Sequence, residues 1–120
     1  MHTILVVDDQ PDTRYLLRAA LGKQYTVVEA EDGASALLAI ERSRPSLVLL
    51  DVMMPGDLDG LQVLQQIRLN LHSRDTPVGI LSARGQTADQ EEARKCGADA
   101  YFVKPFSPLQ VSSWVADKLA

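Results

Sequence analysis

Five residues in this chain combine reactive chemistry with an awkward setting. Asp8 and Asp9 end the apolar run ILVV (4–7), and Asp51 ends LVLL (47–50). Ser82 ends VGIL (78–81), and Lys104 ends YFV (101–103). An ionised carboxylate beside apolar residues is costly unless something pairs with it. Taken singly, adjacent acids after a strand commonly serve a turn, and a lysine commonly snorkels to the surface. Here every one of the five closes an apolar run of strand length. If those runs are parallel neighbours, three carboxylates, one hydroxyl and one ammonium meet at one sheet edge. Carboxylates held together repel, and one stays protonated unless a counter-charge is supplied. A hard divalent cation supplies it, because Mg²⁺ takes carboxylate, water and phosphate oxygens as ligands. Asp9 and Asp51 are candidates for direct ligation, Asp8 for ligation through water, and Lys104 adds a second positive charge. Such a site stabilises anionic oxygen, which is what phosphoryl transfer requires. Asp51, on the central run, is the candidate nucleophile, since carboxylates can form acyl phosphates.

The elements that must position these groups follow from periodicity. The four short runs are apolar on both sides of the pleat, as in parallel strands buried on both faces. YTVVEA (25–30) is more polar and is expected at a sheet edge. Helical spacing lies between the runs. Residues 11–21 place Leu17 and Leu21 four apart, with Pro11 at the start and Gly22 past the end. Residues 33–43 carry Leu37 and Ile40 and stop before Pro45; residues 60–71 carry Leu64, Ile67 and Leu71 on one face. Residues 88–96 follow Thr87 and Gln90, the spacing of a capping box, and end at Gly97. Residues 108–119 start after Ser107 and place Val111, Trp114, Val115 and Leu119 together. Strand–helix alternation predicts an α/β three-layer sandwich with right-handed crossovers. Its expected wiring is a five-stranded parallel sheet in the flavodoxin-like order 2-1-3-4-5, with chemistry outside the carboxyl ends of the strands. The fourth helix offers only Ala88, Ala93 and Cys96 to a core, so residues 85–97 are expected to be the most mobile segment.

Composition narrows the classes. The 120 residues suit one domain, 1–120, and 46% are hydrophobic, enough for one core. A net charge of −4 argues against direct nucleic-acid binding by this domain. The lone Cys96 cannot form an internal disulfide and suits a reducing compartment. The start MHTILVVDD lacks the pattern of a signal peptide, and no run reaches the ~20 apolar residues of a membrane span. A cytoplasmic domain with no membrane contact is expected.

The motifs VVDD (6–9), LLDVMMPG (49–56) with DG at 59–60, LSA (81–83) and GADAYFVKPF (97–106) together resemble the receiver domain of two-component response regulators, of the chemotaxis-regulator kind. The likeness covers essentially the whole chain. It implies that Asp51 is the phosphoacceptor for a sensor histidine kinase or a histidine phosphotransfer protein. It implies that Asp8, Asp9, Asp51 and the backbone carbonyl of Met53 hold Mg²⁺, with Mn²⁺ as the alternative cation. Ser82 and Lys104 then contact the phosphoryl group, Ser82 and Tyr101 act as the switch pair, Pro105 follows a cis peptide bond, and the small Ala83 leaves the phosphoryl group open to water. The implied output is altered affinity for a downstream effector. The domain would catalyse only its own phosphorylation and dephosphorylation, and would not be an enzyme of metabolites. Two departures stand out. The stretch between Gly56 and Gly60 is one residue longer than the family pattern and adds Asp57 near the site; the second acid of a GADDY pattern is Ala100, which lowers the expectation of the charged dimer common in DNA-binding relatives.

Other classes fit less well. A haloacid dehalogenase-type hydrolase needs a second Asp two residues after the nucleophile, where this chain has Met53. A flavodoxin-like cofactor binder needs a Ser/Thr/Gly-rich phosphate loop, and DDQPDTR (8–14) has the wrong charge. A receiver-like interaction module that works without phosphorylation is the remaining alternative. Tyr101 reads otherwise as a half-buried aromatic, Trp114 and Cys96 as core, and His2 and His72 as surface residues. Exposure of Met53 or Met54 beside the acceptor would point to function.

Overall fold

The computed structural model describes residues 1–54, 56 and 58–120. Its strands are β1 (Thr3–Val7), β2 (Thr26–Ala30), β3 (Leu47–Asp51), β4 (Val78–Ser82) and β5 (Ala100–Val103). All pair in parallel, in the order β2-β1-β3-β4-β5. The helices are α1 (Pro11–Leu21), α2 (Gly33–Ser43), α3 (Gly60–Leu69), α4 (Thr87–Lys95) and α5 (Pro108–Lys118). Successive strand residues point to opposite faces, so a strand buried on both sides must be apolar throughout. Ile4, Val6, Leu47, Leu49 and Leu81 pack against Leu17, Leu21, Val111 and Val115 of α1 and α5. Leu5, Val7, Val48, Leu50, Val78 and Ile80 pack against Ala36, Ile40, Val63, Leu64, Ile67 and Ala93 of α2, α3 and α4.

The structure departs from the sequence pattern in three places. The run YFV suits burial on both faces, but β5 is the outer strand beside β4 and is only half-buried, with Val103 exposed. Phe102 instead finds its partner in Trp114, ring centroids 5.7 Å apart in an edge-to-face contact. Second, α3 ends at Leu69, and Leu71 is 77% exposed. The reason is Asn70, whose side chain accepts from the His72 amide (2.9 Å) and so competes with the helix. Third, Thr87 and Gln90 form no capping box. Gln86 is the N-cap without a side-chain bond, Thr87 is the first helical residue, and Gln90 donates to the Gly85 carbonyl (3.2 Å). True capping boxes stand at Asp32 with Ser35 and at Asp59 with Gln62. Asp57, expected near the site, lies outside the described residues.

Helix α4 is held at one end only. Ala93 is its one buried residue, Ala88 is exposed and Cys96 half-buried. Its C-terminus is tied down by Arg68, which donates to the Gly97 carbonyl through Nε (3.1 Å) and Nη2 (2.8 Å) and pairs with Asp99 (3.0 Å). Little apolar burial means low local stability. Amides of α4 should therefore exchange at least about tenfold faster than those of α2 in native-state hydrogen exchange. Equal protection in the two helices would contradict this account of α4.

Candidate phosphoryl-transfer site

The strand register brings the acids together. Val7 pairs with Leu50, so Asp8 stands level with Asp51, and Asp51 pairs with Leu81, one residue before Ser82. Ser82 pairs with Val103, the residue before Lys104. Strands β1 and β3 lie side by side although β2 separates them in sequence, which makes this the topological switch point of the sheet. Asp8 and Asp51 are buried, and Asp9 is exposed. Carboxylate oxygens of Asp8, Asp9 and Asp51 all lie within 4.8 Å of one another.

One cation answers the two buried acids. Lys104 Nζ lies 2.7 Å from Asp8 Oδ2 and 3.4 Å from Asp51 Oδ2. Asp8 Oδ1 accepts from the Gln10 amide (2.9 Å), so both of its oxygens are engaged. Asp51 Oδ1 accepts from the Met53 amide (3.0 Å). Burial raises the Asp51 carboxyl from its ordinary 3.8 to about 6; the Met53 hydrogen bond opposes this, Asp8 reinforces it, and Lys104 offsets part of it. Burial alone would lower the Lys104 ammonium, but the hydrogen bond to Asp8 and the charges of Asp51 and Asp8 outweigh it, and the net shift is upward. One lysine thus leaves Asp51 short of positive charge. The donor set, three carboxylates with one exposed, fits a hard divalent cation.

The surroundings are shaped for this edge. Ser82 is fully buried, and its Oγ accepts from the Arg84 amide (3.0 Å). Half-buried Tyr101 donates its hydroxyl to the Arg84 carbonyl (2.6 Å). The backbone of Arg84 therefore links the two candidate switch residues. The Lys104–Pro105 peptide is cis, and Ala83 is exposed. Met53 is exposed and Met54 buried, and both line a cleft of about 510 Å³ with Asp9, Val52, Asp59, Leu61, Arg84 and Glu92. A groove of similar volume between α2 and α3 holds none of the three acids.

Two contributors escaped the sequence reading. Gly60 begins α3 against the Asp51–Val52 backbone: its amide donates to Val52 O (2.9 Å), and a Cβ there would stand 2.6 Å from Val52 Cα and closer still to Asp51 O. Arg14 donates to the Asp8 carbonyl (2.8 Å). The DG pair was visible as a motif, but nothing in the sequence shows how close it comes to β3. An arginine on a helix carries no signal of its acceptor.

The model of the response regulator receiver domain family matches residues 4–116. The chain belongs to that family, a component of two-component signalling whose standard role is to accept a phosphoryl group. It is 43% identical over 109 residues to the transcriptional regulatory protein ResD of Bacillus subtilis, covering 90% of this chain and 44% of ResD. Among solved structures it is similar to a putative response regulator from Chloroflexus aurantiacus (31% identity, TM-score 0.91, 98% of this chain and 97% of that one). It is also similar to the chemotaxis response regulator CheY4 of Vibrio cholerae (27% identity, TM-score 0.90, 98% of each chain). The chain spans about half the length of the curated relatives it matches. Among the described residues, no helix is long and apolar enough to cross a membrane.

The raised Asp51 carboxyl has a signed consequence. Between about pH 4 and pH 6 the folded chain holds a proton there that the unfolded chain has released. The stability tied to neutral Asp51 is therefore present below about pH 4 and lost as the pH passes 6. Without divalent metal, Asp51→Asn should be more stable than the wild type by about 1–3 kcal/mol at pH 8 and nearly equal to it at pH 4. Urea denaturation at the two pH values measures the difference. A variant no more stable at pH 8 than the wild type would show that burial leaves Asp51 unperturbed.

Proposed function

We propose that residues 1–120 form one receiver domain that accepts a phosphoryl group on Asp51 from a phosphohistidine and converts it into altered partner affinity. The convergence of Asp8, Asp9, Asp51 and Lys104 on one sheet edge carries this reading. Asp9 and Asp51, with the Met53 carbonyl, would hold Mg²⁺ or Mn²⁺; Asp8, its oxygens already engaged by Lys104 and Gln10, would act through water. The cation supplies charge neutralisation for the phosphoryl oxygens. In the transfer, an Asp51 carboxylate oxygen forms the new bond to phosphorus, the phosphorus–nitrogen bond breaks, and the freed imidazole keeps its electron pair and takes up a proton. Lys104 can turn from the carboxylates toward a phosphoryl oxygen, because it already lies within reach of both acids.

The switch follows from Arg84. Ser82 Oγ holds the Arg84 amide, and Tyr101 holds its carbonyl. A Ser82 hydroxyl recruited by the phosphoryl group would loosen that loop and free the Tyr101 hydroxyl to reorient. Water entering past Ala83 would then hydrolyse the acyl phosphate and reset the site. The partners are a sensor histidine kinase or histidine phosphotransfer protein and a downstream effector, in a cytoplasmic setting.

Intact mass after incubation with acetyl phosphate tests the reading. A single phosphoryl adduct is expected with Mg²⁺, lost with EDTA and lost in Asp51→Asn. An absent adduct under rapid sampling, with no Mg²⁺ binding, would favour an interaction module that works without phosphorylation.

A further inference from the structure

A second polar network lies behind the acidic turn. Arg14, in the first turn of α1, donates Nη1 to the Asp8 carbonyl (2.8 Å) and Nε to Glu29 Oε1 on β2 (2.9 Å). Arg18 holds the other Glu29 oxygen through Nε (3.0 Å) and Nη2 (2.8 Å), and Nη2 also reaches the Val27 carbonyl (3.1 Å). Only 16% of the Arg14 side chain is exposed. Ion pairs at a sheet edge add little stability by themselves. This one, however, grips a backbone atom of the candidate metal site.

The grip matters because of how the acids are held. Asp8 is fixed through its side chain by Lys104 and the Gln10 amide. Asp9 is exposed, and among the described residues no protein group holds its carboxylate. The direction of Asp9 is therefore set by its backbone, which leaves the Asp8 carbonyl that Arg14 grips. We propose that Arg14 is a positioning residue for the cation: it pins the Asp8–Asp9 backbone so that the Asp9 carboxylate meets Asp51 across a metal-sized gap. Glu29 offsets part of the charge of Arg14 and Arg18, which leaves the cluster one net positive charge, and Arg18 holds Glu29 in place. This rests on the metal-dependent reading above.

The sign of one effect separates positioning from electrostatics. Removing a positive charge near a dication site should, by Coulomb's law alone, tighten metal binding. Loss of a positioning residue should weaken it. The test is calorimetric titration of the full chain with MgCl₂ at fixed ionic strength, with metal-free thermal unfolding as the control for folding. Arg14→Met is expected to weaken Mg²⁺ binding about tenfold. Arg14→Lys keeps the charge but cannot fork to two acceptors, and it should weaken binding by several-fold. Glu29→Gln should weaken it less, with a loss that shrinks at high salt. Unchanged or tighter Mg²⁺ binding in folded Arg14→Met overturns the inference, even if its melting temperature falls. If Arg14→Met does not fold, Arg14→Lys decides: weakened binding supports positioning, and wild-type affinity overturns it. A wild-type chain that binds no Mg²⁺ overturns the metal reading and this inference together.

Discussion

Two carboxylates that the fold buries must share one ammonium. Asp8 and Asp51 are there because a parallel sheet with helices on both faces leaves the carboxyl ends of β1 and β3 adjacent, and those strands are sealed by apolar layers. Lys104 sits closer to Asp8 than to Asp51, so the central acid is the less compensated of the two. A group in that position is responsive by construction. A proton on Asp51, or the cation of the proposed phosphoryl-transfer site, would relieve the same deficit of positive charge.

The remaining architecture serves this edge in graded rigidity. The strands and the α1, α2, α3 and α5 faces place the acids with little freedom. Gly60 lets α3 begin against the Asp51–Val52 backbone, and Asp59 caps that helix with Gln62. On the other side the holding is sparse. Arg84 is bound by one hydroxyl at its amide and another at its carbonyl, and α4 beyond it buries a single alanine. A change in charge at Asp51 therefore finds a firm floor under it and a loose segment beside it.

Most of this was legible in the sequence because it rests on two local rules. Continuous apolar runs mark doubly covered strands, and the residue ending each run marks the reactive edge. That logic located Asp8, Asp9, Asp51, Ser82 and Lys104, all of which the fold brings to one edge. It failed where tertiary placement overrides local pattern. The residues of β5 read like an inner strand, although the expected wiring 2-1-3-4-5 already puts that strand at an edge, where one side is left open. Leu71 continues the period of α3, but Asn70 bends the chain off the helix through its own side chain. Thr87 and Gln90 have capping spacing one residue too late. The brace from Arg14 was invisible, since its acceptor is a main-chain carbonyl on another element.

The claim beneath all of these is that burial beside Asp8 leaves Asp51 short of positive charge and that a divalent cation makes good the deficit. Titration of the Asp51 carboxyl carbon by NMR, without and with Mg²⁺, measures it most directly. The account predicts a midpoint near 6 without metal and a fall to below about 4 when Mg²⁺ is bound. An Asp51 that titrates near its ordinary 3.8 and ignores Mg²⁺ would contradict it.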